Sequence, residues 1–437
     1  MASTYLSRSN GTPTSQQIFT FSAWVKRGNL NSSGSDPNMQ FFSIYNDTSN
    51  RMDFRFQTGD TIDFYHTSSL GRLTTNRLFR DTNAWYHIVL RVDTTQATSS
   101  DRYRLYINGV QETSFSTETQ PSQNANLGTN FSTFSIGDDS YGSSDYDGSM
   151  AHIHYTDGQS YAPTTFGETD ATTGIWKPKT APSVTYGTNG FFLKFENSGA
   201  FGTDSSGNAN NFTVNGTMTQ TIDTPSNVFA TWNPLVASYS AITYSNGNLK
   251  LTYPTTWTGT HATLGASSGK YYWEIKINTT GDSNWMGVVS ENVNMSSSTL
   301  YASTNGQAMM KSSGDLRINN SETSSYGSAY SNGDIMGIAI DLDSATKTIQ
   351  FYKNGTTNGS LVNLPTNMQD TFIIPFAMGN SIENAINHEA NFGNGYFGTT
   401  AVSSAQNPDD GIGIFEYSVP TGYKALCTKS INAQEYD

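Results

Sequence analysis

A group of aspartates between residues 138 and 147 is the first set of side chains that could do chemistry. Asp138, Asp139, Asp145 and Asp147 fall within one stretch rich in Ser and Gly, DDSYGSSDYDG. Carboxylate oxygens are hard ligands of the kind that Ca²⁺ prefers. The grouping therefore predicts a calcium site, and a solvated acidic loop without an ion is the open alternative. Asp204, in the turn DSSGN, could add oxygen ligands if the chain folds back to this loop.

Aromatic residues in polar loops form the second candidate set. Sugar rings pack their apolar C–H faces on Tyr and Trp rings, while neighbouring Asn, Asp and Ser side chains bind the hydroxyls. Such polar loops contain Tyr141, Tyr146, Trp257 and Tyr301. We therefore predict that these residues bind a glycan. The alternative is that each ring packs under its own loop.

The sequence contains no recognisable catalytic constellation. His152 and His154 are two residues apart, so on a strand both would face the same side and could share a metal, but no third ligand stands nearby. Glycoside hydrolysis needs two paired carboxylates, and no such pair is visible. A G-x-S-x-G elbow, a phosphate-binding loop and a Cys/His zinc spacing are also absent. We therefore expect a protein that is not an enzyme and requires no cofactor, with calcium as the one candidate ion.

Charge and hydropathy argue against two classes of partner. The 437 residues carry 36 acidic and 23 basic side chains, a net charge of −13, and the basic residues are scattered along the sequence. Nucleic acid is therefore not the expected partner. No apolar run approaches the ~20 residues that span a bilayer, so membrane insertion is not expected. The first residues lack a signal-peptide pattern, and the single cysteine, Cys427, cannot form an intrachain disulfide.

Short strands must position the candidate side chains. Alternation of apolar and polar residues, without a convincing helix, predicts strands at residues 17–27, 41–46, 52–57, 85–93, 102–110, 133–139 and 150–158. Within residues 102–116, Asn108-Gly109 predicts a tight hairpin, because both central positions of such a turn need positive φ. A chain of 437 residues exceeds what one core usually serves. We therefore predict an all-β fold of two antiparallel β-sandwich (jelly-roll) modules in tandem.

The first half of the sequence resembles the laminin G-like jelly rolls of the concanavalin A-like superfamily. The resemblance is carried in order by FTFSAWVKR, AWYHIVLRVD, LYINGV and FSIGDDSYGSSDYDGSMAHIHYTDG. Related jelly rolls often hold calcium near such loops, so the resemblance also implies a calcium ion. Residues 1–160 would form the core of this module.

The opening pattern of that family stands late in the chain. GFFLKFENSGAFGTDSSGN, from residue 190, has the apolar strand followed by the D-x-S-G-N-like turn. We therefore predict that residues 186–216 fold back to complete the first sandwich, whose predicted range is 1–228; a strand-poor linker is the alternative. Residues 161–185 contain three prolines and no sustained alternation, which indicates a connecting loop over the surface.

The second half, residues 229–437, resembles a SPRY domain. Its blocks are GKYYWEI with MGV, then GDIMGIAID with the following IQFYKNG, then IPF with NFG. The resemblance implies a bent antiparallel sandwich. In agreement, IMGIAIDLD and TIQFYKNG alternate like two strands of a hairpin.

The order of a laminin G-like and a SPRY-like module, ending in VPTGYKALCTKS, is similar to that of virion structural proteins of tailed marine bacteriophages. This resemblance implies a tail-fibre, tailspike or capsid-fibre component, made in the host cytoplasm and located in the virion. Its partners would be other virion proteins and a host-surface glycan or protein. The alternatives are a virion polysaccharide depolymerase and a cellular SPRY-type protein that binds a peptide. Trimers are common among fibres, but no heptad repeat supports one here.

Overall fold

The chain folds into two compact units, Met1–Gln220 and Thr221–Asp437. The computed structural model describes residues 4–30, 38–67, 70–130, 132–139, 144–236, 238, 240–281, 284–380 and 386–436. Almost all of its regular structure is antiparallel strand, which confirms the predicted all-β class. The predicted boundary at residue 228 lies inside the second unit. Among the described residues, no helix combines the length and apolar composition that a bilayer crossing requires.

Two large sheets and one hairpin make up the first unit. Its strands are β1 (Tyr5–Ser9), β2 (Ile18–Arg27), β3 (Met39–Asp47), β4 (Asn50–Gln57), β5 (Thr61–His66), β6 (Gly71–Thr75), β7 (Tyr86–Asp93), β8 (Tyr103–Ile107), β9 (Val110–Gln111), β10 (Phe115–Thr119), β11 (Thr133–Ile136), β12 (Gly148–Asp157), β13 (Gly167–Thr169), β14 (Trp176–Pro178), β15 (Phe191–Leu193) and β16 (Thr213–Asn215). The described strands pair as an eight-stranded sheet, β10-β6-β5-β4-β3-β11-β1-β16, and a six-stranded sheet, β15-β12-β2-β7-β8-β9. The Asn108-Gly109 turn joins β8 to β9 with positive φ at both residues, as predicted.

The core of the first unit lies between its two sheets and is largely aromatic. Phe21 of β2, in the six-stranded sheet, stacks on Phe42 of β3, in the eight-stranded sheet, with ring centroids 4.5 Å apart. Phe54 of β4 meets the Phe21 ring edge-on at 5.8 Å. Because side chains alternate along a strand, these rings lie on the inner face of each sheet. The two sheets therefore pack face to face as a sandwich.

Residues 186–216 contribute one strand to each sheet of the first unit. β15 pairs with β12, and β16 pairs with β1. Phe191 and Leu193 of β15 are fully buried, and the Phe191 ring packs edge-on against Phe212 with centroids 4.8 Å apart. The late segment therefore occupies edge positions of both sheets.

The segment predicted as an irregular connecting loop, residues 161–185, contains a hairpin. β13 pairs with β14, and Pro163 and Phe166 are buried. Trp176 of β14 donates from its Nε1 to the Nδ1 of His87 on β7, 2.9 Å away. Proline spacing did not indicate this hairpin because its strands are only three residues long and are stabilised by the sheet beneath them.

The second unit is a sandwich as well. Its elements are β17 (Thr243–Ser245), β18 (Lys250–Thr252), β19 (Thr258–His261), β20 (Lys270–Thr279), β21 (Trp285–Ser290), β22 (Gln307–Lys311), β23 (Leu316–Ile318), β24 (Ser321–Thr323), β25 (Ile335–Asp341), β26 (Thr348–Lys353), β27 (Thr356–Thr357), β28 (Val362–Asn363), β29 (Ile373–Gly379), β30 (Asn387–Asn391), β31 (Tyr396–Phe397), β32 (Thr400–Ala401), β33 (Lys424–Ala425) and α1 (Thr428–Tyr436). One sheet runs β17-β18-β30-β20-β25-β26-β27, with β28 beside β26 and β33 beside β20; the other runs β19-β29-β21-β22-β23-β24. Trp273 of β20 and Met286 of β21 share the core between them.

The helix α1 was not predicted. Its sequence, TKSINAQEY, is short and has no apolar periodicity. Its first residue is held by tertiary contacts, because the Thr428 hydroxyl accepts a hydrogen bond from the Val228 N–H at 3.0 Å. Local pattern could not reveal a helix that depends on such contacts.

Candidate functional site

Two of the predicted aromatic residues, Trp257 and Tyr301, come together on the second unit. Trp257 directly precedes β19, and Tyr301 lies in the 3₁₀ turn Leu300–Ala302. Their ring centroids are 5.6 Å apart, with the planes inclined by 37°. Tyr301 is 36% exposed and Trp257 is half-buried, so part of each ring can be reached from solvent.

Arg317 of β23 holds Tyr301 and contacts a third ring, that of Trp285. Its guanidinium lies 5.5 Å from the Tyr301 ring centroid and 5.3 Å from that of Trp285. It donates to the Tyr301 carbonyl at 3.1 Å and pairs with Glu322. We call Trp257, Tyr301, Trp285 and Arg317 the aromatic platform. Cation–π contacts of a partly desolvated guanidinium contribute about 1 kcal/mol each and hold the rings in one orientation.

An apolar layer supports the aromatic platform from below. The outer face of the six-stranded sheet of the second unit carries Met309 and Phe376, and Leu300 packs on them. The Tyr301 turn is held by a second hydrogen bond, from the Gln307 amide to the Tyr301 carbonyl at 2.8 Å. The platform is therefore built on a packed surface rather than on a free loop.

Polar side chains border the aromatic platform. Asn320 and Glu322 are exposed, and both contact the Arg317 guanidinium. An exposed ring next to an amide and a carboxylate offers a ligand an apolar face together with hydrogen-bonding groups. Arg317 and Trp285 were not among the predicted site residues, because their proximity to Tyr301 arises from strand pairing and leaves no mark in local sequence.

The other two predicted aromatic residues do not join the aromatic platform. Tyr146 is half-buried against the core of the first unit, and its hydroxyl donates to the Lys26 carbonyl at 2.8 Å. Burial raises the pKa of the Tyr146 phenol. Its ring therefore packs under its own loop. Tyr141 lies outside the described residues.

The Asp204 carboxylate accepts hydrogen bonds from its own turn and from the backbone of β15. One carboxylate oxygen accepts the Phe192 N–H at 2.9 Å and the Ser206 N–H at 2.8 Å. The other accepts the Ser206 hydroxyl at 2.7 Å and the Asn210 N–H at 2.9 Å. A carboxylate has about four acceptor directions, and these four donors fill them. The predicted contribution of Asp204 to a calcium site has no support in this geometry.

The other predicted calcium ligands lie on two adjoining segments, which the Tyr146 N–H joins by donating to the Gly137 carbonyl at 2.9 Å. Asp138 and Asp139 are buried at the end of β11, whereas Asp145 and Asp147 are half-buried before β12. Burial raises the pKa of the Asp147 carboxyl. The part of the chain that the structure describes holds no group of three or more acidic, His or Cys side chains placed to bind a metal.

The Asp204 turn leads to a stability prediction. Asp204→Ala removes four hydrogen bonds and leaves the buried Phe192 N–H without its acceptor, so we expect unfolding of the first unit to become easier by about 2 kcal/mol. Thermal melting with calcium and with EDTA measures this. The melting temperature of the wild-type protein should not respond to calcium through Asp204. A calcium-induced rise that Asp204→Ala abolishes would contradict the turn role.

The two histidines considered as a metal pair, His152 and His154, differ in their contacts. The Nδ1 of His154 lies 2.9 Å from the Tyr186 hydroxyl, and its ring stacks on Phe192 with centroids 3.9 Å apart. His152 sits at a bulge of β12 with φ of 47°. The bulge breaks the simple alternation from which the shared face was predicted.

One buried pair, Ser22 and His87, has the distance of a nucleophile and its base. The Ser22 hydroxyl lies 2.9 Å from the His87 Nε2. The Trp176 indole can only donate, so the Nδ1 of His87 accepts and carries no proton. Burial lowers the pKa of His87 to about 3, so the ring is neutral and its Nε2 donates to Ser22. A donating Nε2 cannot take the serine proton, and the pair acts as a structural contact.

Comparisons with known proteins match each unit to a domain family. Residues 2–159 match the concanavalin A-like lectin/glucanases superfamily through its Laminin_G_3 model, and residues 270–387 match the SPRY domain. Both are binding-type domains, and they indicate a binding role. No curated protein sequence matches the chain.

Solved structures that are similar to part of the chain include three with SPRY-type or toxin titles. The human HERC1 SPRY domain is 21% identical over 36% of this chain and 96% of its own, with a TM-score of 0.31. Stonustoxin is 18% identical over 37% of this chain and 26% of its own, with a TM-score of 0.28. The TRIM65 PSpry domain is 12% identical over 37% of this chain and 91% of its own, with a TM-score of 0.28.

Proposed function

We propose that this chain is a non-catalytic recognition protein that binds a saccharide on the aromatic platform. The observation that carries the proposal is the adjacency of Trp257 and Tyr301, whose ring centroids are 5.6 Å apart; Tyr301 is 36% exposed and Trp257 is half-buried. A pyranose ring is of similar size to one such aromatic ring and packs its C–H face on it. The exposed Asn320 and Glu322 would bind its hydroxyls.

Preorganisation supports a binding role for the aromatic platform. Arg317 holds Tyr301 through both its ring and its carbonyl, and Trp285 beneath is buried. Rings that are already fixed lose little conformational freedom when a ligand binds, so more of the contact energy appears as affinity.

We further propose that the protein acts in the virion of a tailed bacteriophage, as a fibre, tailspike or capsid-decoration component that contacts a host-surface glycan. The support is the resemblance of the module order to marine phage structural proteins. Its partners would then be other virion proteins and the host glycan. Immunogold electron microscopy of phage particles tests this. Labelled particles would support the proposal, and purified particles that never carry the protein would contradict it.

Substitution of the platform rings tests saccharide binding. Trp257→Ala and Tyr301→Ala should each weaken binding to a host-surface polysaccharide about tenfold, because each removes a stacking surface worth roughly 1–1.5 kcal/mol. Phe372→Ala is the matched control, since Phe372 is an aromatic residue of the same unit and is 50% exposed. Glycan arrays followed by calorimetry provide the measurement.

Two outcomes would contradict this function. Equal losses for Phe372→Ala and the platform variants would show that general surface hydrophobicity, rather than the aromatic platform, binds the glycan. Release of reducing sugar from the bound polysaccharide by wild-type protein would show a depolymerase.

A further inference from the structure

Residues 161–186 form a loop over the six-stranded sheet of the first unit, with the β13–β14 hairpin at its tip. The two ends of the loop are tied together, because the Thr185 N–H donates to the Tyr161 hydroxyl at 3.0 Å. The Asp157 N–H also donates to the Tyr186 carbonyl, at 2.7 Å. The root of the loop is therefore fixed, and its tip depends on what the hairpin contacts. We call residues 161–186 the strap.

The tip of the strap is attached to His87 of β7. Ile88 and Leu90 of β7 enter the core, so the alternate residue His87 faces outward, toward the strap. Its ring lies between two indoles, with ring centroids 4.7 Å from Trp24 of β2 and 5.9 Å from Trp176 of β14. The Trp176 Nε1 donates to the His87 Nδ1 at 2.9 Å. A hydrogen bond and a stacking contact on one imidazole therefore hold the hairpin to the sheet.

This hydrogen bond exists only while His87 is neutral. An indole nitrogen can only donate, and an imidazolium carries a proton on both of its nitrogens. Protonated His87 would therefore point its Nδ1–H at the N–H of Trp176, while its Nε2 already contacts the Ser22 hydroxyl at 2.9 Å. If the hairpin leaves, the Nδ1–H can reach water and the ring can stay on Trp24, whose π face attracts a cation. Protonation of His87 thus favours a detached hairpin.

The root of the strap contacts a second histidine in a way that does not depend on charge. The Nδ1 of His154 lies 2.9 Å from the Tyr186 hydroxyl, which can donate to a neutral ring or accept from a charged one. Phe166 of the strap packs on the same imidazole with centroids 4.9 Å apart. Acid therefore acts on the tip, at His87, and leaves the hydrogen bond at the root in place.

The surroundings of His87 disfavour a charged ring. Burial, and to a lesser extent the nearby His152, lowers the pKa of His87 to about 3. Directly after β15, Lys194 adds positive charge to this face and lies 3.8 Å from the exposed Glu196. Within the described residues, both side chains bonded to the His87 ring are neutral. Further charged side chains on this face and on the strap are bonded to neighbours of their own: Lys26 to Asn83, Arg91 to Ser160, Arg104 to Asp101, Lys177 to Asp170 and Glu168, and Lys179 to Thr164.

From this geometry we propose that the strap is an acid-sensitive cover, which opens when protonation of His87 breaks its hydrogen bond with Trp176. Opening uncovers the rings of His87 and His154 that Trp176 and Phe166 cover in the closed strap. The strands of the detached hairpin are only three residues long, and a two-stranded hairpin of this size is not stable by itself. The strap shares no residue with the aromatic platform, so this proposal does not depend on saccharide binding.

The two protonation equilibria of His87 give the direction and size of the effect. In the closed strap its pKa is about 3, and in the open strap the solvated ring returns toward the ordinary 6.5. The open form thus holds the proton more tightly. Closure is therefore fully favoured above about pH 6.5 and is weakened as the pH falls toward about 3. Between about pH 8 and about pH 5 the open fraction should rise about 30-fold, as long as most molecules remain closed.

Amide hydrogen exchange of the full chain, read by peptide mass spectrometry and divided by the intrinsic exchange rate at each pH, measures the opening. The Lys179 N–H donates to the Phe166 carbonyl at 2.9 Å in the closed strap. This and the other amides of the hairpin should lose protection about 30-fold between about pH 8 and about pH 5. His87→Gln should lose less than about threefold, because its amide can accept from Trp176 and does not titrate.

His66→Gln is the matched control. His66 is a buried histidine of the same unit, but it lies on β5 of the eight-stranded sheet, and burial lowers its pKa to about 4. Its loss should leave the acid response of the strap as it is in the wild type. If His87→Gln loses as much protection as the wild type, or if His66→Gln removes the response as well, a general loosening of the unit is responsible and the proposal fails.

A second measurement covers the case in which His87→Gln does not fold. Trp176 is half-buried at the tip of the strap, outside the core of the unit, so Trp176→Ala is expected to fold. Nuclear magnetic resonance of ¹³C-labelled histidine rings follows each titration in the full chain. The proton affinity of His87 should rise at least about tenfold in Trp176→Ala, and that of His66 should stay the same. Equal proton affinities of His87 in the wild type and Trp176→Ala would overturn the coupling between His87 and the strap.

Discussion

A fragment that ends at residue 185 is expected not to fold, whereas a fragment that ends at residue 220 should melt cooperatively. The shorter fragment lacks β15 and β16, and so loses the buried Phe191, Leu193 and Phe212. Burial of three such side chains stabilises a fold by roughly 5–9 kcal/mol in total. The whole stability of a domain is only about 5–15 kcal/mol. Circular dichroism and thermal melting of the two fragments measure the difference.

Single substitutions in the longer fragment show which side chains of residues 186–216 provide this stability. Phe191→Ala should cost about 3–5 kcal/mol, because it opens a cavity among the rings of Phe134, Tyr155 and Phe212. Val214→Ala on β16 is the control, since Val214 is 39% exposed and should change stability by less than about 0.5 kcal/mol. Cooperative melting of the shorter fragment at the temperature of the longer one would contradict the closing role of residues 186–216.

Glu274 is expected to give the largest effect of any single polar substitution in the second unit. Its buried carboxylate accepts the backbone N–H groups of Glu416 and Tyr417, both at 2.9 Å. Tyr272 donates its hydroxyl at 3.2 Å, and Asn391 donates its amide at 3.4 Å. Glu274→Ala leaves these donors buried without their acceptor, and should destabilise the unit by about 4 kcal/mol. Denaturant unfolding measures this cost.

The same carboxyl predicts a pH dependence of stability. Burial raises the pKa of Glu274 to about 7 from an ordinary 4.5. Between these two values the folded state holds the proton more tightly than the unfolded chain does. The contribution of Glu274 to stability is therefore fully present below about pH 4.5 and is lost as the pH rises through about 7. The fall should be about 3 kcal/mol at most, at 1.36 kcal/mol for each pKa unit.

Isosteric variants distinguish the titration of Glu274 from that of the other carboxyl groups of the unit. Glu274→Gln should flatten the fall in stability between about pH 5 and pH 7, because its amide does not titrate. Glu291→Gln, which changes an exposed glutamate of the same unit, should leave the fall unchanged. If wild type and Glu274→Gln give parallel stability curves over this range, another group is responsible.

Strand alternation, turn chemistry and module order could be read from the sequence because they are local or nearly so. The segment 17–27 predicted β2, and Asn108-Gly109 predicted the turn between β8 and β9. The short strands β13 and β14 and the helix α1 escaped prediction. They have little intrinsic propensity and depend on contacts with distant parts of the chain, such as Trp176 with His87.

The candidate site was only partly accessible from sequence. Trp257 and Tyr301 were chosen as aromatic residues in polar loops, and Tyr146 was chosen by the same rule. Composition cannot distinguish a ring that faces solvent from one whose hydroxyl donates to a buried carbonyl, as Tyr146 does to Lys26. Only the packing of each loop separates these cases.

The sequence by itself determined the all-β class, the two modules and the residue types available for binding, because periodicity and composition are properties of the chain alone. The tertiary structure decided which of those residues meet. Arg51, Arg55 and Arg72 meet around Tyr65 through strand register. The Asp204 carboxylate accepts hydrogen bonds from Phe192, Ser206 and Asn210. Register and lateral strand order are set by pairing between distant segments, and a period of two residues along one strand carries no information about its neighbours.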